Sequence, residues 1–280
     1  MSKENKGLWL VLLGAIAFSL GGLFVKLIPW VPISTNAGRC IFSSLMIFLY
    51  IRFSGHHIKM NKTVILGAVF VAAMLLCYVA SMKMTSAASA IVLEYTAPVF
   101  IILFEAMLFH KKPTKLDLIV CLIVFFGIVL VVSGGSENRT FAGDMIALLS
   151  GVFYALTIML NDFEGGDSLS SVLFGHMLTV LIGLPFIMRE TDFSTHTLLL
   201  VAVLGIFQAG AGYTLLTVGL KHCEALSGSL VASIEPVLNP ILVAIFYGEY
   251  VSFRAIVGAV IVIGTICLYN VIRMKRNQNS

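Results

Sequence analysis

Two parts of this chain repeat each other at an offset of about 138 residues. Residues 83–90 (KMTSAASA) correspond to residues 221–228 (KHCEALSG), and Pro98 in TAPVF corresponds to Pro236 in IEPVL at the same offset. The openings of the two parts, GLWLVLLGAIAFSL and GDMIALLSGVFYAL, align at an offset of 136. A repeat of this length predicts that the chain contains two copies of one structural unit.

The composition places both copies in a lipid bilayer. Hydrophobic residues make up 59% of the chain and charged residues 11%, and the mean hydropathy is +1.01. This is more apolar surface than a soluble core buries, with too little charge to cover it. A helix needs about 20 apolar residues to cross the hydrocarbon layer. Ten such segments are found, at approximately residues 7–28, 33–53, 61–83, 86–109, 116–133, 141–161, 169–188, 196–219, 225–247 and 253–272.

Five spans per copy make the second copy run in the opposite direction, because an odd number of crossings leaves the chain on the other side of the membrane. We therefore predict an all-α integral membrane protein of ten transmembrane helices. They form two inverted five-helix repeats, residues 1–135 and 136–280.

The positive charges predict the orientation. Twelve Lys and Arg residues fall on the side of the two termini and five on the other, with Arg39 inside a span. Because cytoplasmic loops collect Lys and Arg, we expect both termini in the cytoplasm of a multi-pass protein of the cell (inner) membrane. The net charge of +4 then needs no nucleic-acid partner. A cleaved signal peptide is the alternative for the first span, which the match between residues 7–20 and 143–156 disfavours.

Two acidic residues lie deep inside predicted spans. An ionisable side chain in hydrocarbon costs about 2.5 to 3.5 kcal/mol, so each is a functional candidate. Glu94 lies about 12 Å into the fourth span and Glu235 about 15 Å into the ninth, at 1.5 Å per residue. Both depths are close to the middle of the bilayer. The alternative is that each carboxyl only bonds a neighbouring helix.

Prolines accompany both acidic residues. Pro98 follows Glu94 by four residues, while Pro236 directly follows Glu235 and Pro240 comes after it. Proline removes a backbone donor and breaks or kinks a helix, which in a membrane is tolerated only where protein or a wet cavity satisfies the freed carbonyl. Interrupted spans at matching positions of two repeats indicate a binding site. We predict helix breaks at these prolines and a substrate path between the fourth and ninth spans.

Spacing adds neighbours to this path. Asn239 shares a helix face with Glu235, and Glu105 lies three turns after Glu94, where it either continues a polar track or simply reaches water. A carboxyl in an apolar cavity favours its neutral form. Glu235, Glu94 or both are therefore candidates to couple transport to protons.

Other polar side chains inside spans are weaker candidates. Arg39 and His176 correspond at an offset of 137, and a structural role, bonding backbone carbonyls, is favoured over substrate contact for both. Tyr78, Tyr95, Gln208 and Tyr213 are positioned to line a cavity. The five Cys are scattered and predict neither disulfides nor a metal site, and no cofactor is expected.

At these positions the chain resembles the EamA family of the drug/metabolite transporter superfamily. The resemblance is carried by Ser86–Ala90 with Pro98 and, in the second repeat, by Ser227–Ser233, Glu235, Pro236, Gly248, Glu249, Gly258 and Gly264. It implies ten spans in two inverted repeats and movement of small metabolites such as amino acids by alternating access. The first repeat departs from the family pattern at His110–Lys111, and Glu94 stands where the family more often has Gln or an apolar residue.

The function predicted from these features is secondary transport of a small metabolite, an amino acid or related compound, in the direction of export. Protons are the candidate coupling ion, and the protein is expected to be a monomer or homodimer. The alternatives are a nucleotide-sugar or sugar-phosphate exchanger of the same superfamily, a channel, and a membrane-embedded enzyme. No enzyme is predicted, because the sequence has neither H-E-x-x-H nor G-x-S-x-G, and residues 166–169 (GDSL) match a lipase string without the fold context it requires. It also has no P-loop.

Overall fold

The computed structural model describes residues 3–110, 112–134, 140–220, 222, 231–232 and 234–278, and the regular structure in these ranges is helical. A 3₁₀ turn (Met159–Asp162) follows the eighth helix, and a π-helical segment (Leu204–Ala211) joins the tenth to the eleventh. The helices are α1 (Lys3–Ser19), α2 (Gly21–Leu27), α3 (Pro32–Ser54), α4 (Lys62–Met84), α5 (Ala87–Glu94), α6 (Ala97–Leu108), α7 (Lys115–Ser133), α8 (Phe141–Ile158), α9 (Ser168–Ile187), α10 (Thr195–Val203), α11 (Gly212–Leu220), α12 (Glu235–Tyr247) and α13 (Phe253–Gln278).

Nine helical stretches within the described ranges are long and apolar enough to cross a membrane. Three of them combine consecutive elements: α1 with α2 (Asn5–Leu27), α5 with α6 (Ala87–Leu108), and α10 through the π-helical segment into α11 (Thr195–Leu216). The apolar helix α12 has 13 residues and is shorter than a span. Most of the first half of the predicted ninth span lies outside the described residues.

The outer surface of the bundle is apolar. Leu122 is 70% exposed, Phe125 67%, Ile245 68% and Val260 66%. Water would oppose so many exposed large apolar side chains, whereas lipid tails accept them. With the nine apolar stretches, this surface identifies a multi-pass membrane protein.

The helices pair across the boundary between the two sequence repeats. α1 packs on α11, α4 on α8, α3 on α9 and α7 on α13. Small residues permit the closest crossings, since a Cβ on Gly14 would lie 3.2 Å from the Gly212 carbonyl oxygen and one on Gly127 would lie 3.1 Å from that of Gly258. Such contacts drive helix association in lipid, where burial of apolar area gives little free energy. Each pair therefore binds one repeat to the other.

The fourth span is interrupted in its middle. α5 ends at Glu94 and α6 begins at Ala97, with Pro98 in its first turn and Thr96 donating its hydroxyl hydrogen bond to the Leu93 carbonyl at 2.6 Å. The hydroxyl thus satisfies a carbonyl that a continuous helix would have bonded internally. The break places Tyr95 between two helix ends.

The two prolines of the second repeat behave differently from each other. Pro236 lies in the first turn of α12, the position where the missing N–H costs nothing. Pro240 lies inside α12, so the expectation of a break there is not met. The proline ring holds a helical φ, and the helix continues with one backbone hydrogen bond fewer.

Candidate functional site

A cavity of about 510 Å³ lies between helices of both repeats. Ile158 and Leu216 line it and are the last residues of their spans, so the cavity extends from the middle of the bundle toward the end where α1 begins. Its volume is within the range of small-molecule sites. The lining residues are Ala15, Phe18, Arg39, Met74, Leu75, Tyr78, Glu94, Tyr95, Ala97, Pro98, Tyr154, Ile158, Gln208, Ala209, Tyr213, Leu216, Ala232, Glu235, Ile266 and Asn270.

Most of the polar residues singled out in the sequence line this cavity. The structure brings together Arg39, Tyr78, Glu94, Tyr95, Gln208, Tyr213 and Glu235. Three candidates do not line it. Asn239 is buried against Gly22 of α2, where a Cβ would clash with its amide. His176 is fully buried behind Tyr213, with ring centroids 6.1 Å apart, and its Nδ1 is 2.8 Å from the Val172 carbonyl oxygen. Glu105 is half-buried farther along α6.

The two acidic side chains have different surroundings. The Tyr95 hydroxyl donates a hydrogen bond of 2.6 Å to Glu235 Oε2, which joins the break in the first repeat to the start of α12 in the second. Glu94 is 9% exposed, and its electrostatic neighbours are Glu235, Arg39 and the Ser150 hydroxyl. Two carboxyl groups therefore share one cavity, and Glu235 has a direct partner from the other repeat.

Arg39 provides the positive group of the cavity. It is 2% exposed; its Nε donates to Asn36 Oδ1 at 2.9 Å and its Nη1 to Gln208 Oε1 at 3.2 Å. The guanidinium carbon lies 5.8 Å from the centre of the Tyr78 ring, in cation–π range. Gln208 comes from the π-helical segment, a type of irregularity common at functional sites.

Aromatic rings complete the lining. Phe18 and Tyr213 meet edge to face at 5.0 Å, and Tyr95 and Tyr154 at 6.4 Å. Phe18 and Tyr154 were not predicted as site residues. A signal for them exists, because both stand at the twelfth position of the two matching openings, GLWLVLLGAIAFSL and GDMIALLSGVFYAL.

One end of the bundle is tied by buried polar contacts. Lys26 Nζ lies 2.5 Å from Glu249 Oε2, and Glu249 Oε1 accepts a hydrogen bond of 2.7 Å from the Ala87 N–H at the start of α5. The side chains of Lys26 and Glu249 are only 7% and 3% exposed. Lys83 also donates to the carbonyl oxygens of Ile28, at 2.7 Å, and Trp30. We call this the Lys26 end.

The opposite end has a different set of contacts. His56 Nε2 is 3.0 Å from Asp167 Oδ2, Asn61 donates to the Gly165 carbonyl at 2.8 Å, and Thr63 to that of Glu164 at 2.8 Å. They join the connection between α3 and α4 to the start of α9. We call this the Asp167 end; the cavity extends toward it.

The chemistry available here is recognition of a small solute by charged, polar and aromatic groups. Among the residues that the structure describes, no group of three or more His, Cys, Asp or Glu is arranged to hold a metal ion. The cavity therefore offers an arginine, two carboxyls and several aromatic rings as its binding groups.

Comparison with known proteins identifies the class. The model of the EamA-like transporter family matches residues 5–133 and again residues 141–271. The chain belongs to the EamA-like transporter family and carries its repeat twice, which points to a transporter rather than an enzyme.

Individual relatives agree with this family. An uncharacterized transporter of Archaeoglobus fulgidus is 30% identical over 195 residues, 69% of each chain. One of Clostridium kluyveri is 26% identical over 200 residues, 66% of this chain and 64% of its own. Human solute carrier family 35 member G1 is 30% identical over 172 residues, 55% of this chain and 47% of its own.

The fold matches a solved crystal structure with a TM-score of 0.67 and 17% sequence identity. The match covers 98% of this chain and 99% of the other. At this identity the likeness concerns the fold alone.

Proposed function

We propose that this protein is a secondary transporter that moves a small metabolite across the cell membrane by alternating access, in the direction of export. The observation that carries the proposal is a cavity between the two repeats that extends toward the Asp167 end, while a buried ion pair ties the Lys26 end. A carrier needs a central site that is accessible from one side at a time.

The helix pairs support two inverted five-span repeats. A two-fold axis that relates the two copies exchanges the first span with the sixth and the third with the eighth. A contact between the first and eighth spans therefore requires an equivalent contact between the sixth and third spans. α1 packs on α11 and α8 packs on α4, which meets this requirement. α3 with α9 and α7 with α13 pair second with seventh and fifth with tenth span, as the axis also requires. A ninth span ending in α12 completes the ten.

The charge distribution supports the orientation. With both termini in the cytoplasm, the Asp167 end is the cytoplasmic end and the cavity is positioned to receive a solute from inside the cell. Movement outward then requires opening of the Lys26 end, where Lys26, Ala87 and Glu249 meet.

Glu235 is our candidate for proton coupling. Its carboxyl faces the cavity and is held by Tyr95 of the other repeat, so a change in its protonation alters a contact between the two repeats. Such a contact is a means by which proton binding shifts the balance between two conformations.

Flux through purified protein in liposomes tests the proposal. Labelled amino acids are placed outside vesicles that contain a saturating unlabelled pool, and counterflow is measured with and without an imposed pH gradient. We expect saturable counterflow for wild type, and for Glu235→Gln we expect exchange without accumulation driven by the pH gradient. The matched control is Glu164→Gln, an exposed carboxyl outside the cavity.

Two results would contradict the proposal in different ways. Non-saturable flux without counterflow would indicate a channel. Unchanged pH-driven accumulation in Glu235→Gln would remove this residue from coupling and leave transport itself standing.

A further inference from the structure

Arg39 carries a buried positive charge that the protein uses only in part. Two of its three nitrogens have acceptors, Asn36 for Nε and Gln208 for Nη1, and both acceptors are neutral amide oxygens. The third nitrogen, Nη2, is buried and has no hydrogen-bond partner. Among the described residues, the ion pairs involve Lys26, His56 and Lys59, and none involves Arg39.

A buried guanidinium with no carboxylate at ion-pair distance is costly. Removing a charge from water costs several kcal/mol. Hydrogen bonds to neutral amide oxygens offset less of this desolvation free energy than a bond to a carboxylate does. Proteins retain such a group inside a membrane mainly where a pathway or ligand requires it. Arg39 lines the cavity, while its Nη2 atom is covered by protein, so a solute reaches this nitrogen after a small movement of the side chains around it.

The guanidinium is held in one orientation. Asn36 lies one turn before it on α3, Gln208 approaches from the π-helical segment, and the Tyr78 ring lies 5.8 Å from its carbon. Gln208 itself packs on the backbone at Gly21, where a Cβ would lie 3.1 Å from its Nε2. An arginine fixed on two sides loses little entropy when the third side binds an anion.

We propose that Arg39 binds the carboxylate of the transported solute, and that the substrates are small carboxylate-bearing compounds rather than amines. The inference rests on the proposed function. Gln208 is a positioning residue, since it acts by holding Nη1 and leaving Nη2 for the solute. The rings of Phe18, Tyr78 and Tyr213 line the same cavity and accommodate an apolar body.

This assignment gives the arginine and the two carboxyl groups that line the cavity different roles. Arg39 takes the negative group of the solute, and Glu235 and Glu94 remain for a proton or for an ammonium group on the same solute. A substrate with an amine and no carboxylate would leave Arg39 buried and unpaired, so the site selects against it.

The test measures binding to the purified full-length protein, as the shift of its thermal unfolding temperature with ligand concentration. The probes are phenylalanine and leucine, each beside the amine left after decarboxylation and the acid left after deamination, both of which separate the two charged groups of the amino acid. Glycerol 3-phosphate is the competing anion. The variants are Arg39→Gln, Arg39→Lys and Gln208→Ala, with Arg189→Gln as a control outside the cavity.

We expect at least one carboxylate-bearing probe to stabilise wild type and the control, while its decarboxylated amine does not. Arg39→Gln should weaken binding of that probe by about 30-fold or more, as expected when one partner of a buried charge pair is removed. Arg39→Lys keeps the charge and should retain part of the affinity. Gln208→Ala should reduce affinity for the carboxylate probe in wild type and cause no further reduction in Arg39→Gln, because Gln208 acts through Arg39.

Several outcomes would overturn the inference. These are equal binding by amines that lack a carboxylate, stabilisation by glycerol 3-phosphate alone, no binding of any carboxylate probe, or full affinity in Arg39→Gln. If Arg39→Gln does not fold, Arg39→Lys and Gln208→Ala decide, and unchanged carboxylate affinity in both overturns it. Counterflow of an amine in liposomes would then show that transport stands although the carboxylate site does not.

Discussion

The two ends of the helix bundle are held together in different ways. At the Lys26 end, buried charged groups join α2, the start of α5 and the turn after α12, so the contacts connect the two repeats around the cavity. At the Asp167 end, the described contacts also join the two repeats, but they lie between the α3–α4 connection and the start of α9, and α9 already packs along α3 and α4. The first set must break if the Lys26 end opens, whereas the second can move as part of one rigid group.

Burial adds to this difference. Both partners at the Lys26 end are buried, at 7% and 3% exposed, while at the Asp167 end Asp167 is 6% exposed and its partner His56 is 33% exposed. A buried charge that loses its partner is destabilising, and a partly exposed partner contributes less because water and salt screen it. We therefore expect the contacts at the Lys26 end to form in one conformation and break in the other, as in a switch. The contacts at the Asp167 end are expected to persist in both conformations, as a support.

The largest effect is expected from breaking the buried pair. Glu249→Ala leaves the Lys26 ammonium buried without a carboxylate and also removes the acceptor of the Ala87 N–H. We expect a loss of about 3 to 5 kcal/mol in the stability of this closed end. The measurement uses Phe18→Cys in a variant that lacks the native cysteines. The rate at which a membrane-impermeant thiol reagent, applied from the Lys26 side, labels this cysteine reports how far that end is open.

The control for this prediction is the double variant Lys26→Met with Glu249→Met. Replacing both charges by apolar side chains removes the unpaired charge, so much of the stability should return. Unchanged cysteine accessibility in Glu249→Ala would show that the ion pair does not close the Lys26 end.

A smaller effect is expected in the middle of the bundle, between the two ends. Tyr95→Phe removes the hydroxyl that donates to Glu235 and keeps the ring in the cavity. A hydrogen bond contributes about 0.5 to 1.5 kcal/mol when the carboxyl is neutral and about 1.5 to 3 kcal/mol when it is ionised. We expect altered pH dependence of transport in liposomes with binding of neutral solutes retained. If the pH profile of transport by Tyr95→Phe coincides with that of wild type, the Tyr95 hydrogen bond has no role in proton coupling.

The smallest effect is expected at the Asp167 end. His56→Ala removes the partly exposed partner of Asp167, which keeps Lys59 Nζ at 3.9 Å and the Ser170 N–H at 2.9 Å, so we expect a loss of about 1 kcal/mol or less in stability. Thermal unfolding and the transport rate should both remain close to wild type. A transport defect as large as that of Glu249→Ala would contradict the proposed division between a switch and a support.

Particular residues show how far the sequence leads. The break before Pro98 and the helix start at Pro236 were predictable, because proline acts on its own backbone and the effect does not depend on tertiary contacts. The same reasoning wrongly predicts a helix break at Pro240, which lies inside the continuous helix α12. Phe18 and Tyr154 lie in the cavity at matching repeat positions that the sequence already contains.

Other site residues depended on packing. Asn239 shares a helix turn with Glu235, yet it is buried against Gly22 and does not line the cavity. His176 matches Arg39 in the repeat and lies behind Tyr213. Helices in lipid show no reliable apolar stripe toward the core, because the outside is as apolar as the inside. Spacing along one helix therefore does not reveal which face meets the cavity.

The sequence by itself determined that this chain is a membrane protein made of two related copies, with ionisable side chains inside its apolar segments. Those conclusions follow from hydropathy, repetition and proline, all of which act locally along the chain. Only the tertiary structure decided that Lys26 meets Glu249, that Tyr95 holds Glu235, and that Arg39 keeps one nitrogen without a partner. Each of these contacts depends on how a helix packs against a segment that is distant in the sequence. The free energy of that packing depends on both surfaces together, so neither segment alone determines it.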